Sequence, residues 1–412
     1  MEKVKLNRHF ISDIFFYQEG PGVRKWQFKD SGVKLINVGN INNGKIDLSS
    51  TKINISEEEA YGKYSHFLID EGDLLIACSG IVVENFHNKI AFIKKEHLPL
   101  CLNTSTMRFK ELPEKKGDLN FLKYFLQTND FKSQLRKLIT GSAQLNFGPS
   151  HIRKIEIPLP SITTQQKIAA ILDQADAIIQ NNLAIVQKYD ALTQSLFLEM
   201  FGDPVKNEKG WNLTKFSNVL TKIESGWSPV CENYSRRDEN EWAVLKLGAV
   251  SYGTYNPKEN KKYEFDIPNS KIDCEVKQGD LLFTRKNTYH MVGKTAFVYE
   301  TESRLLLPDT VFRLVYNTEK ANPLFLFYLL NHNKFSLEIQ SLASGTSGSM
   351  PNISKAKLLA KELICPSVEL QNEFAERVAV IEAQKQQAQL ALAKSEELFQ
   401  SLLQKAFKGE LN

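Results

Sequence analysis

The sequence predicts an α+β protein: two tandem mixed α/β domains separated by two long helices forming an antiparallel coiled coil, the whole pseudo-two-fold symmetric. Three observations predict it. The 412-residue chain repeats itself with a unit of roughly 200 residues, a whole domain rather than a solenoid repeat. Each unit opens with short apolar runs punctuated by Gly, Asn and Pro, as strands are. Each closes with a stretch of about 40 residues whose apolar side chains recur at helical spacing.

The repeat lies in the shared order of its matches, since each match alone is common. "VKLINVGNINNGKI" from Val33 faces "WAVLKLGAVSYGTY" from Trp242, pairing Gly39 with Gly248 and Gly44 with Gly253. Gly72 then pairs with Gly279, Ala91 with Ala296 and Arg108 with Arg313. From Pro160 and Pro366 onward the two copies run without a gap, through Gln165 and Gln371 to Phe201 and Phe407. A drift of a few residues between segments is what loop insertions in a duplicated unit produce.

Within the first unit, "KLINVGNI", "DLLIACS", "KIAFI" and "STMRF" read as strands of a compact sheet. "LNFLKYFLQTNDFKSQLRKLI" carries Phe121, Leu122, Phe125 and Leu126 at helical spacing, as does "PLFLFYLLNHNKFSLEIQSL" in the second copy. A Gly/Ser loop follows each, "TGSAQLNFGPS" or "ASGTSGSMPNIS", and then a short strand, "KIEIPLP" or "KELICPS".

The first long helix, or rod, has Thr163 as a candidate N-cap with Gln166 three residues on, a capping-box pattern; the second has Ser367, with Leu370 in the reciprocal place. Heptad spacing gives a first-rod seam of Ile168, Ala175, Asn182 and Leu196, with Ile171, Ile178 and Leu192 three positions on. Leu172, Ile179 and Val186 widen that stripe. The second-rod seam is Phe374, Ile381, Ala388, Ser395 and Leu402, joined by Val378, Leu392, Leu398 and Phe399. At 1.5 Å per residue a rod is about 57 Å long, more than one domain can cover. Pairing the rods with each other buries both stripes, and Asn182 on the seam would set their register.

Composition places the chain among ordinary soluble globular proteins, with 42% hydrophobic and 24% charged residues. A net charge of +4 permits a nucleic-acid partner without demanding one. The five cysteines are scattered, with no C-x-x-C and no Cys/His cluster, which argues against a zinc site or a disulfide framework and for buried, reduced thiols. No signal sequence or membrane-spanning apolar run is legible, so a cytoplasmic location is expected. Enzymatic signatures fail as well. "VGKT" from Val292 has Thr288 where a phosphate loop needs its leading Gly, and Asp309 lacks a downstream Glu-x-Lys. There is no Asn/Asp-Pro-Pro-aromatic motif and no H-E-x-x-H.

A two-fold pair of domains at fixed spacing suits two half-sites on a DNA duplex, and two divergent domains suit an asymmetric, split target. The order of domain, "IPLPSITTQQKIAAILDQADAII", domain and second rod resembles the specificity subunit of type I restriction-modification systems. "GPGVRKWQF" and "GVKLINVGNI" near the start and "FGDP" after the first rod carry the same resemblance, which covers essentially the whole chain. Where the family has a Glu-Gln pair at each rod's start, Gln165 and Gln371 keep the Gln while Thr164 and Leu370 replace the Glu.

The resemblance implies target-recognition domains at 1–160 and 204–366 and spacer helices at 161–203 and 367–412. It implies a non-catalytic subunit that binds double-stranded DNA and docks two methyltransferase subunits and restriction/translocase subunits. No cofactor is expected in this chain; S-adenosylmethionine, ATP and Mg²⁺ would belong to the partners. The alternative is a non-catalytic coiled-coil scaffold whose domains bind proteins.

Base edges are read by Arg, Lys, Asn and Gln, and phosphates are held by Lys, Arg, Ser and backbone N–H groups. Candidates in the first domain are Arg24, Lys25, Gln27 and Lys29, then Asn85, His87, Asn88 and Lys89, then Gln144 and Asn146 in the Gly/Ser loop. In the second they are Arg236 and Arg237, Arg285, Lys286, Asn287 and His290, and Ser347 and Asn352. Each alone is as well explained as a solvated loop residue. Trp26 and Trp227 either stack on DNA or pack beneath their own loops.

Overall fold

The computed structural model describes residues 6–49, 51–139, 146–345 and 350–411. It divides into two compact units, Met1–Leu183 with Leu390–Asn412, and Ala184–Gln389. The division falls inside the long helices, so each unit holds one globular part together with part of each rod.

In the first unit a four-stranded antiparallel sheet runs in the order Phe15–Glu19, Thr106–Glu111, Leu74–Ala77, Ile90–Phe92. Val33–Ile36 lies between Asn54–Ile55 and a parallel Leu100–Leu102 in a second sheet, and Asn7–Phe10 pairs with Glu156–Leu159. The second unit repeats this order: Leu220–Ser225, Val311–Tyr316, Leu281–Thr284, Thr295–Phe297 in the larger sheet. Ala243–Leu245 lies between Asn260–Lys262 and a parallel Leu305–Leu306, and Leu213–Lys215 pairs with Glu362–Ile364. The duplication read from the sequence is thus a duplication of topology.

The helical stretch of each unit is two helices rather than one. Leu119–Phe125 gives way to Asn129–Leu138 at Thr128, whose hydroxyl accepts from the Phe131 N–H at 3.2 Å and caps the second helix. Pro323–Asn331 and Asn333–Ser341 break at His332.

The rods are Ile162–Phe201 and Val368–Phe407. Ser161, not Thr163, caps the first: its hydroxyl accepts from the Thr164 N–H at 3.3 Å, as Ser367 accepts from the Leu370 N–H at 3.4 Å. In the first unit Ile168, Leu172 and Ala175 share one core with Phe399, Leu403 and Ala406. In the second, Phe197 and Phe201 pack on Phe374 and Val378. Early positions of one helix meet late positions of the other in both units, so the helices run antiparallel. Polar pairs set the register: Asn182 Nδ2 donates to Ser395 Oγ at 3.3 Å and to the Ala391 carbonyl at 3.4 Å in the first unit, and Lys385 meets Asp190 at 2.6 Å in the second.

The seam of the first rod differs from the sequence expectation. Ile168 and Ala175 are buried, and Asn182 and Leu196 half-buried, but the companion line is Leu172, Ile179, Val186 and Thr193, four residues on rather than three. Ile178 and Leu192 are 49% and 50% exposed, and Ile171 is half-buried. Both choices satisfy a seven-residue repeat, because seam spacings alternate three and four; Ile168 occupies the d position rather than a. In the second rod Phe374 and Val378 are buried, Ile381, Ala388 and Leu402 half-buried, and Leu398 is 51% exposed beside the buried Phe399.

Two buried polar joints recur in both units. The Arg108 guanidinium lies 3.3 Å from Asp73 and donates to Gln18 at 2.8 Å and to the carbonyls of His66 and Leu68. Arg313 meets Asp280 and Glu224, each at 2.8 Å, and the carbonyls of Asp273 and Glu275. The second joint ties rod to domain. Gln165, fully buried, donates to the carbonyls of Lys116 and Pro160 and accepts from the Asp118 N–H, all at 2.9 Å. Asp118 itself caps Leu119–Phe125. Gln371, equally buried, repeats this with Lys320, Pro366 and the N-cap Asn322.

A leucine at either glutamine has similar bulk but leaves three backbone groups unpaired, each worth about 1–3 kcal/mol when buried. Gln165→Leu is therefore expected to lower stability by about 3 kcal/mol, read as a reduced urea midpoint with an unchanged slope.

Candidate nucleic-acid interface

The polar loops singled out in the sequence are stitched to one another at the ends of the same strands. In the first unit the loop after Leu74–Ala77 meets the exit of the Gly/Ser loop: Asn146 Oδ1 accepts from Ser79 Oγ at 2.9 Å and from the Gly80 N–H at 2.8 Å, and the Phe147 N–H donates to the Cys78 carbonyl. Lys89 is drawn to the neighbouring hairpin, donating to the carbonyls of Val38 and Ile41 and to Asn42 Oδ1 at 2.7–3.2 Å. The Gly44 N–H reaches the Asn88 carbonyl at 3.5 Å.

The second unit places the same three segments together with different chemistry. Asn287 Nδ2 donates to Ser251 Oγ at 2.8 Å, its N–H donates to the Pro351 carbonyl, and the Ile353 N–H donates to the Arg285 carbonyl. Lys286 and Asn352 form an antiparallel bridge. The Arg285 guanidinium stacks 5.3 Å from the Phe312 ring centre.

The basic-aromatic loop is placed by a close backbone approach that also recurs. A Cβ on Gly20 would lie 2.4 Å from the Asn103 nitrogen, and one on Gly226 2.1 Å from the Leu307 oxygen. Only glycine fits at either start. Beyond Gly20, Lys25–Gln27 forms a single 3₁₀ turn.

Several sequence candidates are committed by their hydrogen bonds to their own fold. Gln27 is buried, donating to Glu59 at 2.6 Å and to the Tyr64 hydroxyl at 3.0 Å. Arg236 is buried against Glu302 and the carbonyls of Glu241 and Ser303. Asn287 is buried on Ser251. Lys89 holds the hairpin, Asn146 is exposed but its Oδ1 is taken up by the Ser79–Gly80 loop, and Asn352 is half-buried in the bridge. Their residue types matched a reader's, but their partners lie far away in sequence.

Exposed and free to meet a ligand are Arg24, Lys25, Lys29, Asn85, His87, Arg237, Lys286 and His290, with Asn88 and Arg285 half-buried. Gln144 and Ser347 lie outside the described residues. Tyr252, Tyr289 and Met350, absent from the sequence candidates, are also exposed beside the segments that Asn287 joins. Their one signal was an aromatic or Met within a Gly/Asn-rich turn. Among the described residues no cluster of His, Cys, Asp and Glu could hold a metal, and no helix is long and apolar enough to cross a membrane.

A duplicated α+β domain, with antiparallel helices carrying each copy and divergent polar loops on a common frame, defines a two-domain recognition protein. Comparison with known proteins specifies it. Residues 4–188 match the family described as the type I restriction modification DNA specificity domain. The chain is 25% identical over 408 residues to the EcoKI specificity subunit of Escherichia coli (strain K12), covering 93% of this chain and 83% of that one. It is 29% identical over 165 residues to the Escherichia coli EcoEI specificity subunit, but that match spans only 39% of this chain and 27% of the relative. The S subunit from M. genitalium superimposes with a TM-score of 0.55 at 14% identity, over 98% of this chain and 96% of that one. A chain from a structure on complex assembly and conformational transition of the type I R-M system gives 0.53 at 17%, over 99% and 100%. Just under half of the chain thus matches the type I DNA specificity domain, and the chain as a whole is similar in sequence and in fold to type I specificity subunits.

Proposed function

We propose that this chain reads an asymmetric bipartite DNA target, one half per globular domain, with the spacer between the halves set by the rods. It performs no chemistry itself. It docks two methyltransferase subunits, and with them restriction/translocase subunits, which bind S-adenosylmethionine, ATP and Mg²⁺; the assembly works in the cytoplasm.

The observation that carries this reading is the contrast between frame and loops. Strand order recurs, the Gln165 and Gln371 joints recur atom for atom, and Arg108 and Arg313 each hold the matched carboxylate, Asp73 or Asp280, with two backbone carbonyls. The loops on that frame do not: Cys78, Ser79 and Gly80 in one copy stand where Arg285, Lys286 and Asn287 stand in the other, around an asparagine common to both, Asn146 or Asn352. A shared frame with divergent polar loops is what two different half-sites require.

The test is a randomised-duplex selection with the subunit bound to its methyltransferase partner. One split, non-palindromic motif is expected; a flat distribution would sink the proposal, and binding indifferent to both sequence and salt would favour a protein-binding scaffold. Affinity should fall steeply between about 50 and 200 mM salt as counterions return to the phosphates. Replacing Lys286 or Arg237 by Ala should reduce the slope of log K against log salt by about one each if that cation contacts phosphate.

A further inference from the structure

Trp26 is 77% exposed. Its turn is nonetheless rigidly anchored. The Gln27 N–H donates to the Arg24 carbonyl and the Phe28 N–H to the Lys25 carbonyl, closing the 3₁₀ turn. Gln27 Oε1 accepts from the Arg24 N–H at 3.0 Å, while Gln27 Nε2 reaches down to Glu59 and Tyr64. The Lys29 N–H then joins the Asn54 carbonyl at 2.9 Å. Phe28, two residues from Trp26, packs against the buried group of Val33, Leu35, Ile55 and Tyr64. The turn therefore sends one aromatic ring inward and holds the other out in solvent. A rigid indole in water forgoes the largest apolar burial any side chain offers, which is unusual unless something else covers it.

Two further observations indicate what covers it. Among the described residues no aromatic ring and no cation stacks on Trp26, so both of its faces are open. Arg24, Lys25 and Lys29 flank it, all exposed, and among the described residues none is drawn into an ion pair. Three unpaired cations around one open ring suit a polyanion whose bases present flat faces, better than they suit an apolar protein surface.

We propose that Trp26 is a stacking wedge for the first DNA half-site: its ring inserts against a base step and unstacks it, while Arg24, Lys25 and Lys29 hold the adjacent phosphates. Gln27 is a positioning residue that fixes the turn and touches no base. The proposal rests on the DNA-reading assignment above and adds a distortion of the duplex to it. Sequence preference then arises at that step from the ease of unstacking, pyrimidine–purine steps being the easiest, without a hydrogen bond to any base edge.

The experiment uses the full chain bound to its methyltransferase partner and the duplex selected by the wild type, with 2-aminopurine placed in turn at each position of the first half-site. Wild type is expected to brighten the probe at one step, and Trp26→Ala to leave it dark. Trp26→Ala should weaken binding roughly 5- to 100-fold, with Trp26→Phe recovering most of the loss, and should leave the salt slope unchanged. Arg24→Ala should weaken binding on all sequences alike and flatten the slope by about one. Binding by Trp26→Ala within twofold of wild type, with no probe brightening in either protein, would overturn the wedge while leaving the DNA-reading assignment intact. Loss of subunit assembly without loss of DNA affinity would overturn it in favour of a protein contact. Failure of the wild type to select any duplex would remove the assignment beneath it.

Discussion

Removing residues 183–189 from the first rod and 386–392 from the second is expected to shorten the preferred spacer by up to about three base pairs, with both half-sites unchanged. Seven helical residues span about 10.5 Å, against about 3.4 Å per base pair of duplex. The matched deletion keeps the heptad phase in each helix. It also spares the two polar pairs on either side, Asn182 with Ser395 and Asp190 with Lys385. Affinity should fall even on the best new spacer. Seven residues turn the helix by only about 20° relative to a strict repeat, whereas three base pairs rotate the grooves by about 105°. Selection on libraries of graded spacer length measures this, and an unchanged spacer would refute the rods as a ruler. A deletion in one rod alone puts the Asn182–Ser395 and Asp190–Lys385 pairs out of register with each other and should instead destabilise the subunit.

Replacing Arg108 by Met is expected to cost the first unit about 3–5 kcal/mol, the range for removing one partner of a buried ion pair. Asp73 would remain buried, and its burial already pushes its carboxyl above the usual range. Without the guanidinium that rise grows, and a carboxyl whose folded pKa lies above its unfolded value prefers the protonated form when folded. The loss should therefore be largest near neutral pH and shrink as pH falls through the raised pKa. Adding Asp73→Asn should recover part of it. Hydrogen exchange resolved along the chain should show lost protection in the first unit and retained protection in Ala184–Gln389. In the DNA selection the first half of the motif should blur while the second persists. Uniform loss across both units would contradict the separate character of the two cores.

The duplication, the strand segments, both rods and the special standing of Arg108, Arg313, Gln165 and Gln371 were all legible in the sequence, because each leaves a periodic or repeated trace. What those four side chains do was not legible, since their partners are backbone groups, carboxylates and the Gln18 amide, up to 90 residues away. The candidate site divided in the same way. Arg24, Lys25, Lys286 and Arg237 stand exposed, while Gln27, Arg236 and Asn287, chosen on the same grounds, are buried in hydrogen bonds.

Periodicity and self-similarity were sufficient for the architecture, because burial of apolar faces obeys local geometry that a linear pattern records. Which of two neighbouring apolar lines faces the partner helix could not come from that pattern. Ile171 with Ile178 and Leu172 with Ile179 are equally apolar and equally periodic, and contact with Phe399, Leu403 and the domain core selects the second. The same holds for the loops. A polar side chain reads a ligand or braces its own fold according to which distant groups the fold brings within about 3 Å, and that distance exists only once the chain has closed on itself.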